Sequence, residues 1–369
     1  MSALPSPQRV GVGIVGLTPA RSWAARAHVP ALEALPDFDI VGVASSTAAS
    51  ASAAAQALGI PQAYATVQDL VEDPRVDLVA VTVKVPHHRE IVDAAVRAGR
   101  MVYCEWPLGN GLADAEVMAD EARRKGLRTA VGLQARSSPT IRYVRDLVRD
   151  GFVGEVLSTT LVGSSGSMGA TDPAHLVYLN SRSNGANVLT IPFAHAIDAL
   201  CWVLGDFRSL SAELATRRRT YVVVETRETR TRDIADQVMV AGTLANDTVV
   251  AAHYRGGSCR ATNFRWEING TDGDLEITAA SGHLQAADLI LRGGRGADGV
   301  LEALPVPDGY RASPAGLPTS AVNVAEAYAR FAMGASAPDP IPDFNDAVRL
   351  HRLLEAIERS ALSGERVVL

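Results

Sequence analysis

Cysteine, long apolar runs and clustered basic residues are all scarce in this sequence. Its 369 residues include three cysteines, at positions 104, 201 and 259, which are too few and too scattered for a disulfide framework or for metal-ligand spacing. No stretch reaches about eighteen consecutive apolar residues, the length that a membrane-spanning helix needs. The first nine residues also lack the apolar run of a signal peptide. We therefore expect a cytoplasmic protein that neither crosses nor enters a membrane and holds no metal ion.

Basic charge is too sparse to attract a polyanion. The formal net charge is -6, and the one conspicuous basic block is Arg217, Arg218 and Arg219. This block opens an alternating stretch, which is typical of a solvated strand edge, because charged edges keep sheets from pairing with one another. The charge balance thus predicts that nucleic acid is not a partner.

Two different hydrophobic patterns divide the chain. Residues 10–15, 40–44, 78–83, 101–103 and 129–133 are β-branched runs, separated by Ala-rich helical stretches. Continuous apolar strands that alternate with helices indicate a doubly wound parallel sheet, and so a Rossmann domain over residues 1–134. Alternating runs at 237–244, 248–254, 264–269 and 274–278 predict an α+β domain over residues 135–369, with a large, open, mainly antiparallel sheet. We expect a homodimer or homotetramer through that sheet, and a closing helix at 344–361 that packs back on the first domain.

The first strand runs into a candidate dinucleotide turn. Residues 10–21 read as strand, turn and helix start, and Gly16 at the strand end allows a sharp turn beside a pyrophosphate. The glycine fingerprint is imperfect, because Thr18 and Arg21 stand at its second and third positions. Gly11 and Gly13 are alternative fingerprint glycines or ordinary strand glycines, and the sequence leaves both open.

The tip of the second strand bears on cofactor choice. Residues 44–47 are Ala-Ser-Ser-Thr, so no carboxylate stands where an NAD-specific site would hold the adenosine ribose. The hydroxyls of Ser45, Ser46 and Thr47 can donate hydrogen bonds to a 2′-phosphate, with Arg21 nearby. We expect NADP in preference to NAD, although Ser46 and Thr47 would cap the next helix with either cofactor.

Several motifs in order resemble the glucose-fructose oxidoreductase, inositol dehydrogenase and rhizopine-catabolism (Gfo/Idh/MocA) family. The stretches that carry the resemblance are residues 81–90, 105–109, 134–136, 151–156, 270–273 and 343–347. Within the family, Gly16-Leu17 with Trp23, Glu105-Trp106, and residues 133–139 and 190–200 are similar to the branch that contains the fungal galactose-pathway repressor and its bacterial relatives. The resemblance implies a nicotinamide held in a cleft between a Rossmann domain and a sheet domain used for oligomerisation.

The resemblance also implies a defective acid/base set. In the sugar dehydrogenases of the family a lysine follows the motif glutamate, and an aspartate and a histidine four residues apart complete the set. Here Trp106 stands at the lysine position and Ile191 at the aspartate position, whereas His195 matches the histidine. Hydride transfer at a carbinol carbon needs a group that exchanges the hydroxyl proton, and an indole cannot accept one. Biliverdin reductase, in the same broad family, is similar in carrying an aromatic residue there and still transfers hydride.

The sequence therefore nominates two sets of site residues. The expected cofactor-binding residues are Gly16, Leu17, Thr18, Arg21, Trp23, Ser45, Ser46, Thr47, Val83, His88, Glu105, Trp106 and Gln134. His195 is the first candidate for proton transfer, and Asp198 shares its helix face at three residues' spacing. Tyr178 is a hydroxyl that could replace the lost acid. The ordinary alternatives are a hydrogen-bonded core histidine, an aspartate paired in the core and a packed tyrosine.

Three functions are compatible with these residues. The first is an NAD(P)-dependent oxidoreductase that acts by hydride transfer on a small polar, sugar-like substrate. The second is a non-catalytic dinucleotide-binding regulator resembling the fungal repressor. The third is a reductase of an imine or a conjugated double bond, for which a lone histidine, tyrosine or water would meet the smaller proton demand.

Overall fold

The computed structural model describes residues 9–297, 299–337 and 339–369. The chain divides into two compact units. The first comprises residues up to Gly109, Ala113–Gly132 and Arg311–Val348, and the second comprises Asn110–Leu112, Leu133–Tyr310 and Arg349–Leu369. The change of unit after Gly132 lies two residues from the boundary expected at 134, whereas the return of residues 311–348 to the first unit differs from the expected continuous second domain.

The first unit is built on a six-stranded sheet in the order β3-β2-β1-β4-β5-β6, and all its strand pairs are parallel. Its strands are β1 (Val10–Val15), β2 (Phe38–Ala44), β3 (Gln62–Ala63), β4 (Leu78–Val81), β5 (Met101–Cys104) and β6 (Thr129–Val131). Every residue of β4 is buried, as expected for a strand covered on both faces. The doubly wound sheet predicted from the sequence is confirmed.

Helices cover this sheet. They are α1 (Val29–Glu33), α2 (Ala48–Leu58), α3 (Val67–Glu72), α4 (His88–Arg97), α5 (Leu112–Arg124) and, from the later part of the chain, α8 (Thr319–Met333). A wide helical turn, Ala24–His28, leads into α1. Residues Val324, Tyr328 and Phe331 of α8 lie in the same hydrophobic core as Val12 and Leu32. This helix, which was not predicted from the sequence, therefore packs on the first sheet, and the start of the closing helix, up to Val348, belongs to the same unit.

The second unit contains a nine-stranded mixed sheet in the order β17-β16-β15-β14-β7-β13-β12-β9-β18. Its strands are β7 (Val156–Ser164), β9 (Phe207–Ala215), β12 (Gln237–Leu244), β13 (Val249–Arg255), β14 (Phe264–Gly270), β15 (Gly273–Ala279), β16 (Ile290–Arg295), β17 (Glu302–Ala303) and β18 (Val367–Val368). Only β7 and β13 pair in parallel within it; the other neighbours are antiparallel. A small sheet is formed by β8 (Thr171–Asp172), β10 (Thr220–Val223) and β11 (Thr229–Thr231).

The helices of the second unit are α6 (Pro139–Arg149), α7 (Ala194–Leu204) and most of α9 (Phe344–Ser363), whose residues up to Val348 belong to the first unit. Short helical turns lie at Val85–His87, Gln134–Ser137, Ala174–Asn180, Arg182–Asn184, Leu189–Phe193, Leu284–Ala286, Asp308–Tyr310 and Gly334–Ser336. Within the described chain, Arg182–Leu204 alone has the length and composition of a membrane span, and 72% of its most apolar window is buried inside the protein. This is the behaviour of a core helix, which is apolar all round because protein surrounds it.

Candidate functional site

Gly16 forms the turn that follows β1. Its φ of +103° lies in a region that side chains rarely adopt, and a Cβ built there would lie 2.6 Å from Cγ1 and 2.9 Å from the backbone nitrogen of Val83. The Gly16 N–H donates to the carbonyl of Ala44 at 3.0 Å. The chain thus turns over the carboxyl ends of β1, β2 and β4, where doubly wound sheets bind their ligands.

Gly11 and Gly13 have a different task. A Cβ on Gly11 would lie 1.8 Å from the Arg75 carbonyl oxygen, and a Cβ on Gly13 would lie 2.6 Å from Cδ2 of Leu70. Both glycines lie inside β1 and allow neighbouring chain to approach it closely. They are strand-packing glycines, so Gly16 remains the candidate glycine of the predicted dinucleotide turn.

Residues after Gly16 carry the turn into helix. The Thr18 N–H donates to Ser22 Oγ at 3.0 Å, and that hydroxyl donates back to the Thr18 carbonyl at 2.9 Å. Leu17 is buried, whereas Arg21 is exposed. The indole N–H of Trp23 is buried and has no hydrogen-bond partner within the described part of the chain. An orphaned donor and a glycine cradle in one strand-to-helix turn fit a dinucleotide, whose phosphate and ribose oxygens are acceptors.

The tip of β2 presents hydroxyls. Ser45 Oγ donates to the Leu17 carbonyl at 3.2 Å, and Ser46 is exposed. Thr47 is the N-cap of α2, and its hydroxyl accepts the Ser50 N–H at 3.1 Å in a capping box. The capping role considered for Thr47 is therefore present, and Ser46 keeps an exposed hydroxyl beside the turn.

Glu105 follows β5 directly, and its carboxylate contacts a buried histidine. Its Oε1 lies 2.8 Å from Nε2 of His28, whose Nδ1 lies 2.8 Å from the hydroxyl of Tyr328. His28 and Tyr328 are fully buried, while 15% of the Glu105 side chain is exposed. Trp106 comes next and is 5% exposed, so the position of the family lysine is filled by a buried aromatic ring.

His88 lies at the start of α4 and is buried, at 1% exposure. Its Nε2 lies 3.1 Å from the carbonyl of Val83, and its Nδ1 lies 2.9 Å from the carbonyl of Pro107. Burial lowers its pKa, and backbone hydrogen bonds oppose that shift. Because both ring nitrogens face backbone carbonyls, His88 connects the loops that follow β4 and β5, and its contact with the cofactor stays a prediction.

His195 is the second residue of α7 in the second unit and is 3% exposed. Its Nδ1 is buried, and no described residue is hydrogen-bonded to it. Burial, and then the neighbouring His283, lower the pKa of His195 to about 3. The ring is therefore neutral near pH 7, with one ring nitrogen left for a ligand.

His283 is oriented by the backbone. Its Nε2 donates to the carbonyl of Ser165 at 2.5 Å, and its Nδ1 lies 3.3 Å from Nε2 of Gln285. Burial lowers its pKa as well. His283 was not predicted from the sequence, because no local sequence pattern indicates that residues as far apart as 195 and 283 lie near one another.

Asp198 is engaged in an ion pair. Its two carboxylate oxygens accept from Nε of Arg136 at 2.8 Å and from Nη2 at 2.5 Å. The Asp198 side chain is 2% exposed and that of Arg136 is 15% exposed. Two parallel charge-assisted hydrogen bonds hold a carboxylate firmly. This geometry assigns Asp198 to pairing in the core, and the hypothesis that it transfers a proton is not carried further.

Tyr178 and Gln134 are the remaining predicted site residues of the second unit. Tyr178 lies half-buried in the turn Ala174–Asn180, and burial raises the pKa of its hydroxyl. Gln134 is 1% exposed and begins the turn Gln134–Ser137, which packs against α7. Both side chains remain candidates, and Tyr178 keeps its proton near neutral pH. The described residues contain no group of three or more histidine, cysteine or acidic side chains arranged for a metal ion.

In comparisons with known proteins, two separate parts of the chain match two different family models. Residues 10–133 match the Gfo/Idh/MocA family described as oxidoreductases with an NAD-binding Rossmann fold, and residues 139–279 match the C-terminal domain of Gal80p. The dehydrogenase aclE of Aspergillus oryzae is 32% identical over 292 residues, which span 74% of this chain and 78% of that protein. This chain belongs to the Gfo/Idh/MocA family. The resemblance inferred from the motifs is thereby confirmed.

Solved structures of Gfo/Idh/MocA-like proteins share the fold along nearly the whole chain. The transcriptional regulator Gal80p of Kluyveromyces lactis has a TM-score of 0.86 at 26% identity, covering 99% of this chain and 95% of that one. A levoglucosan dehydrogenase in complex with NADH and levoglucosan has a TM-score of 0.83 at 21% identity, covering 98% of this chain and 99% of that one. Similar folds therefore include a regulator and a sugar dehydrogenase.

Proposed function

We propose that this protein is an NAD(P)-dependent oxidoreductase that acts on a small polar, sugar-like substrate and that His195 exchanges the substrate's hydroxyl proton. The observation that carries the proposal is the buried Nδ1 of His195 without a partner among the described residues. A buried polar atom without a hydrogen bond is costly, at roughly 1–3 kcal/mol. A substrate hydroxyl would supply the missing hydrogen bond.

His195 is in its neutral form near pH 7, the form in which a ring nitrogen has a free lone pair. Burial and His283 lower its pKa to about 3, so the ring begins as a neutral base. It can accept the hydroxyl proton at Nδ1, a role that Trp106 and Ile191 cannot fill at the positions of the family's lysine and aspartate. A bound nicotinamide would supply the hydride acceptor for the carbinol carbon.

We further propose NADP in preference to NAD. The support is the Ala-Ser-Ser-Thr tip of β2, which offers the exposed hydroxyl of Ser46 and no carboxylate, with the exposed Arg21 in the turn after Gly16. A 2′-phosphate is repelled by a carboxylate and attracted by a guanidinium. The expected result is tighter binding of NADPH than of NADH, and the difference should shrink in Arg21→Ala.

The test begins with fluorescence titrations of the protein with NADPH and NADH. Oxidation of sugars and inositols is then followed by reduced-nicotinamide absorbance, with imines and conjugated double bonds tested in the reductive direction. We expect turnover of a polyol and its loss by at least about a hundredfold in His195→Gln. The matched control is His253→Gln on β13, where Nε2 of that histidine lies 3.3 Å from Oε1 of Gln237. Full turnover by His195→Gln would remove the assignment.

A second candidate is a non-catalytic dinucleotide-binding regulator. The observation that favours it is the match of residues 139–279 to the Gal80p C-terminal domain, together with the buried Trp106 at the lysine position. Under this proposal the cofactor biases a protein-binding surface without reacting. Tight binding of NADPH with no turnover of any substrate class would support the regulator over the enzyme.

We also propose that two copies associate through the open face of the large sheet. Support comes from exposed apolar side chains at Met239, Val249 and Ile290 on β12, β13 and β16, which are 51%, 59% and 60% exposed. Exposed apolar groups on one sheet face favour association. Light scattering after gel filtration should give a dimer or tetramer, and Met239→Asp should shift it toward the monomer. We further propose a cytoplasmic location, on the basis of the small number and wide spacing of the three cysteines in the sequence.

A further inference from the structure

A buried tyrosine, histidine and glutamate are connected by hydrogen bonds in the first unit. The hydroxyl of Tyr328 on α8 lies 2.8 Å from Nδ1 of His28, and Nε2 of His28 lies 2.8 Å from Oε1 of Glu105. Positions 28 and 328 are 300 residues apart in sequence. The connection therefore brings the later helix α8 to the carboxyl end of β5.

The carboxylate of Glu105 determines which nitrogen of His28 carries a hydrogen. A carboxylate only accepts hydrogen bonds, so Nε2 of His28 must donate to it, while Nδ1 lies in hydrogen-bond range of the Tyr328 hydroxyl. The ring is also confined by edge-on packing, because its centroid lies 5.3 Å from that of Tyr103 and 5.6 Å from that of Tyr328.

Burial decides what this arrangement can do. His28 and Tyr328 are both 0% exposed, so the far end of the connection has no exit to solvent. A proton cannot be delivered to Glu105 from that side. What remains is orientation of the Glu105 carboxylate, which is the one partly exposed member.

Glu105 stands where a dinucleotide would pass. It follows β5 directly, while Gly16 follows β1 and Val83 lies just beyond β4, and these three strands are neighbours in the sheet. The carboxyl ends of neighbouring parallel strands meet at one edge, about 5 Å apart from strand to strand. An oriented carboxylate at that edge can accept hydrogen bonds from the vicinal hydroxyls of a ribose.

We propose that His28 and Tyr328 are positioning residues that orient Glu105 to bind a ribose diol of the dinucleotide, so that α8 is part of the cofactor site. This inference rests on the proposed dinucleotide binding. It assigns a binding function to the segment Arg311–Val348, which the sequence placed in the other domain.

A double-mutant cycle on cofactor affinity tests the inference. Tyr328→Phe keeps the ring and removes one neutral hydrogen bond, so the Kd for NADPH should rise about two- to tenfold. The same substitution in a Glu105→Gln background should have little further effect, because the two residues act through His28. The control is Tyr64→Phe in the same unit, which removes a 2.7 Å hydrogen bond to Asp73. Asp73 lies in the loop before β4, at the amino end of that strand. Tyr64→Phe should leave the Kd unchanged in both backgrounds.

The outcomes distinguish a failure of the positioning role from a failure of dinucleotide binding itself. Equal effects of Tyr328→Phe with and without Glu105→Gln, while the wild-type protein binds NADPH, would overturn the positioning role alone. Failure of the wild-type protein to bind either dinucleotide would overturn both proposals. Nitrogen NMR of labelled histidine in the ligand-free protein gives a readout independent of variant folding: Nε2 of His28 should carry a hydrogen, and an unprotonated Nε2 contradicts the arrangement.

Discussion

Acid should destabilise this protein through His195, and the effect can be isolated by substitution. The native pKa of His195 is about 3, against an ordinary value of 6.5, because burial and His283 disfavour the charged ring. Between these two pH values the unfolded chain binds a proton that the native state does not. The free energy of unfolding therefore falls as the pH falls through this window, by about 1.4 kcal/mol per pH unit.

The magnitude is large enough to measure. Lowering the pH from about 6 to about 4 should remove roughly 2.5 kcal/mol of stability through His195 alone. His195→Gln has no titrating ring, so its free energy of unfolding should decrease less over the same interval. Burial also lowers the pKa of His253, but that ring is only half-buried, so His253→Gln should reduce the pH dependence by a smaller amount.

The assay is urea unfolding, followed by fluorescence, of the wild-type protein and the two variants at several pH values. Nitrogen NMR of the native protein supplies the direct check, since His195 should remain neutral down to about pH 4. Parallel stability curves for the wild type and His195→Gln would refute the argument. So would an imidazole at position 195 that titrates near its ordinary value.

Three further substitutions have definite expected results. Gly16→Ala forces a side chain into a φ of +103° and against Val83, so it should cost roughly 1–3 kcal/mol and weaken NADPH binding at least about tenfold in a fluorescence titration. Asp198→Asn leaves Arg136 without its ionic partner and should cost roughly 3 kcal/mol in urea unfolding, without moving the pH optimum of turnover. Thr47→Ala removes the N-cap of α2 and should cost about 1 kcal/mol in urea unfolding.

Local pattern was sufficient to predict five of the six strands of the first sheet; the two-residue β3 was not predicted. The continuous apolar runs at β1, β2, β4 and β5 appear where expected, because strands buried on both faces must be apolar throughout. The alternating runs predicted β12 to β15 for the corresponding reason, since one face of that sheet is solvated. β7 was not predicted, although it pairs with both β13 and β14 in the middle of the large sheet.

The positions of site residues at strand ends could also be predicted, but their partners could not. Gly16 and Glu105 follow strands, so their place at one sheet edge follows from parallel topology. The contacts of Glu105 with His28 and of His28 with Tyr328 depend on how α8 packs, which no local pattern encodes. The same applies to Asp198: spacing placed it on the helix face of His195, whereas its partner is Arg136.

Under the proposed function, binding a dinucleotide and using it are separable, because different residues would carry the two tasks. Gly16 and the supported carboxylate of Glu105 belong to the first unit, and neither depends on the residue at position 106. Replacement of the family lysine by Trp106 therefore removes a proton-exchanging group without dismantling the binding turn. What remains for chemistry is the unpartnered ring nitrogen of His195 in the second unit. Cofactor affinity alone thus cannot distinguish the enzyme from the regulator, whereas turnover of a substrate can, and its response to His195→Gln then tests the role of His195.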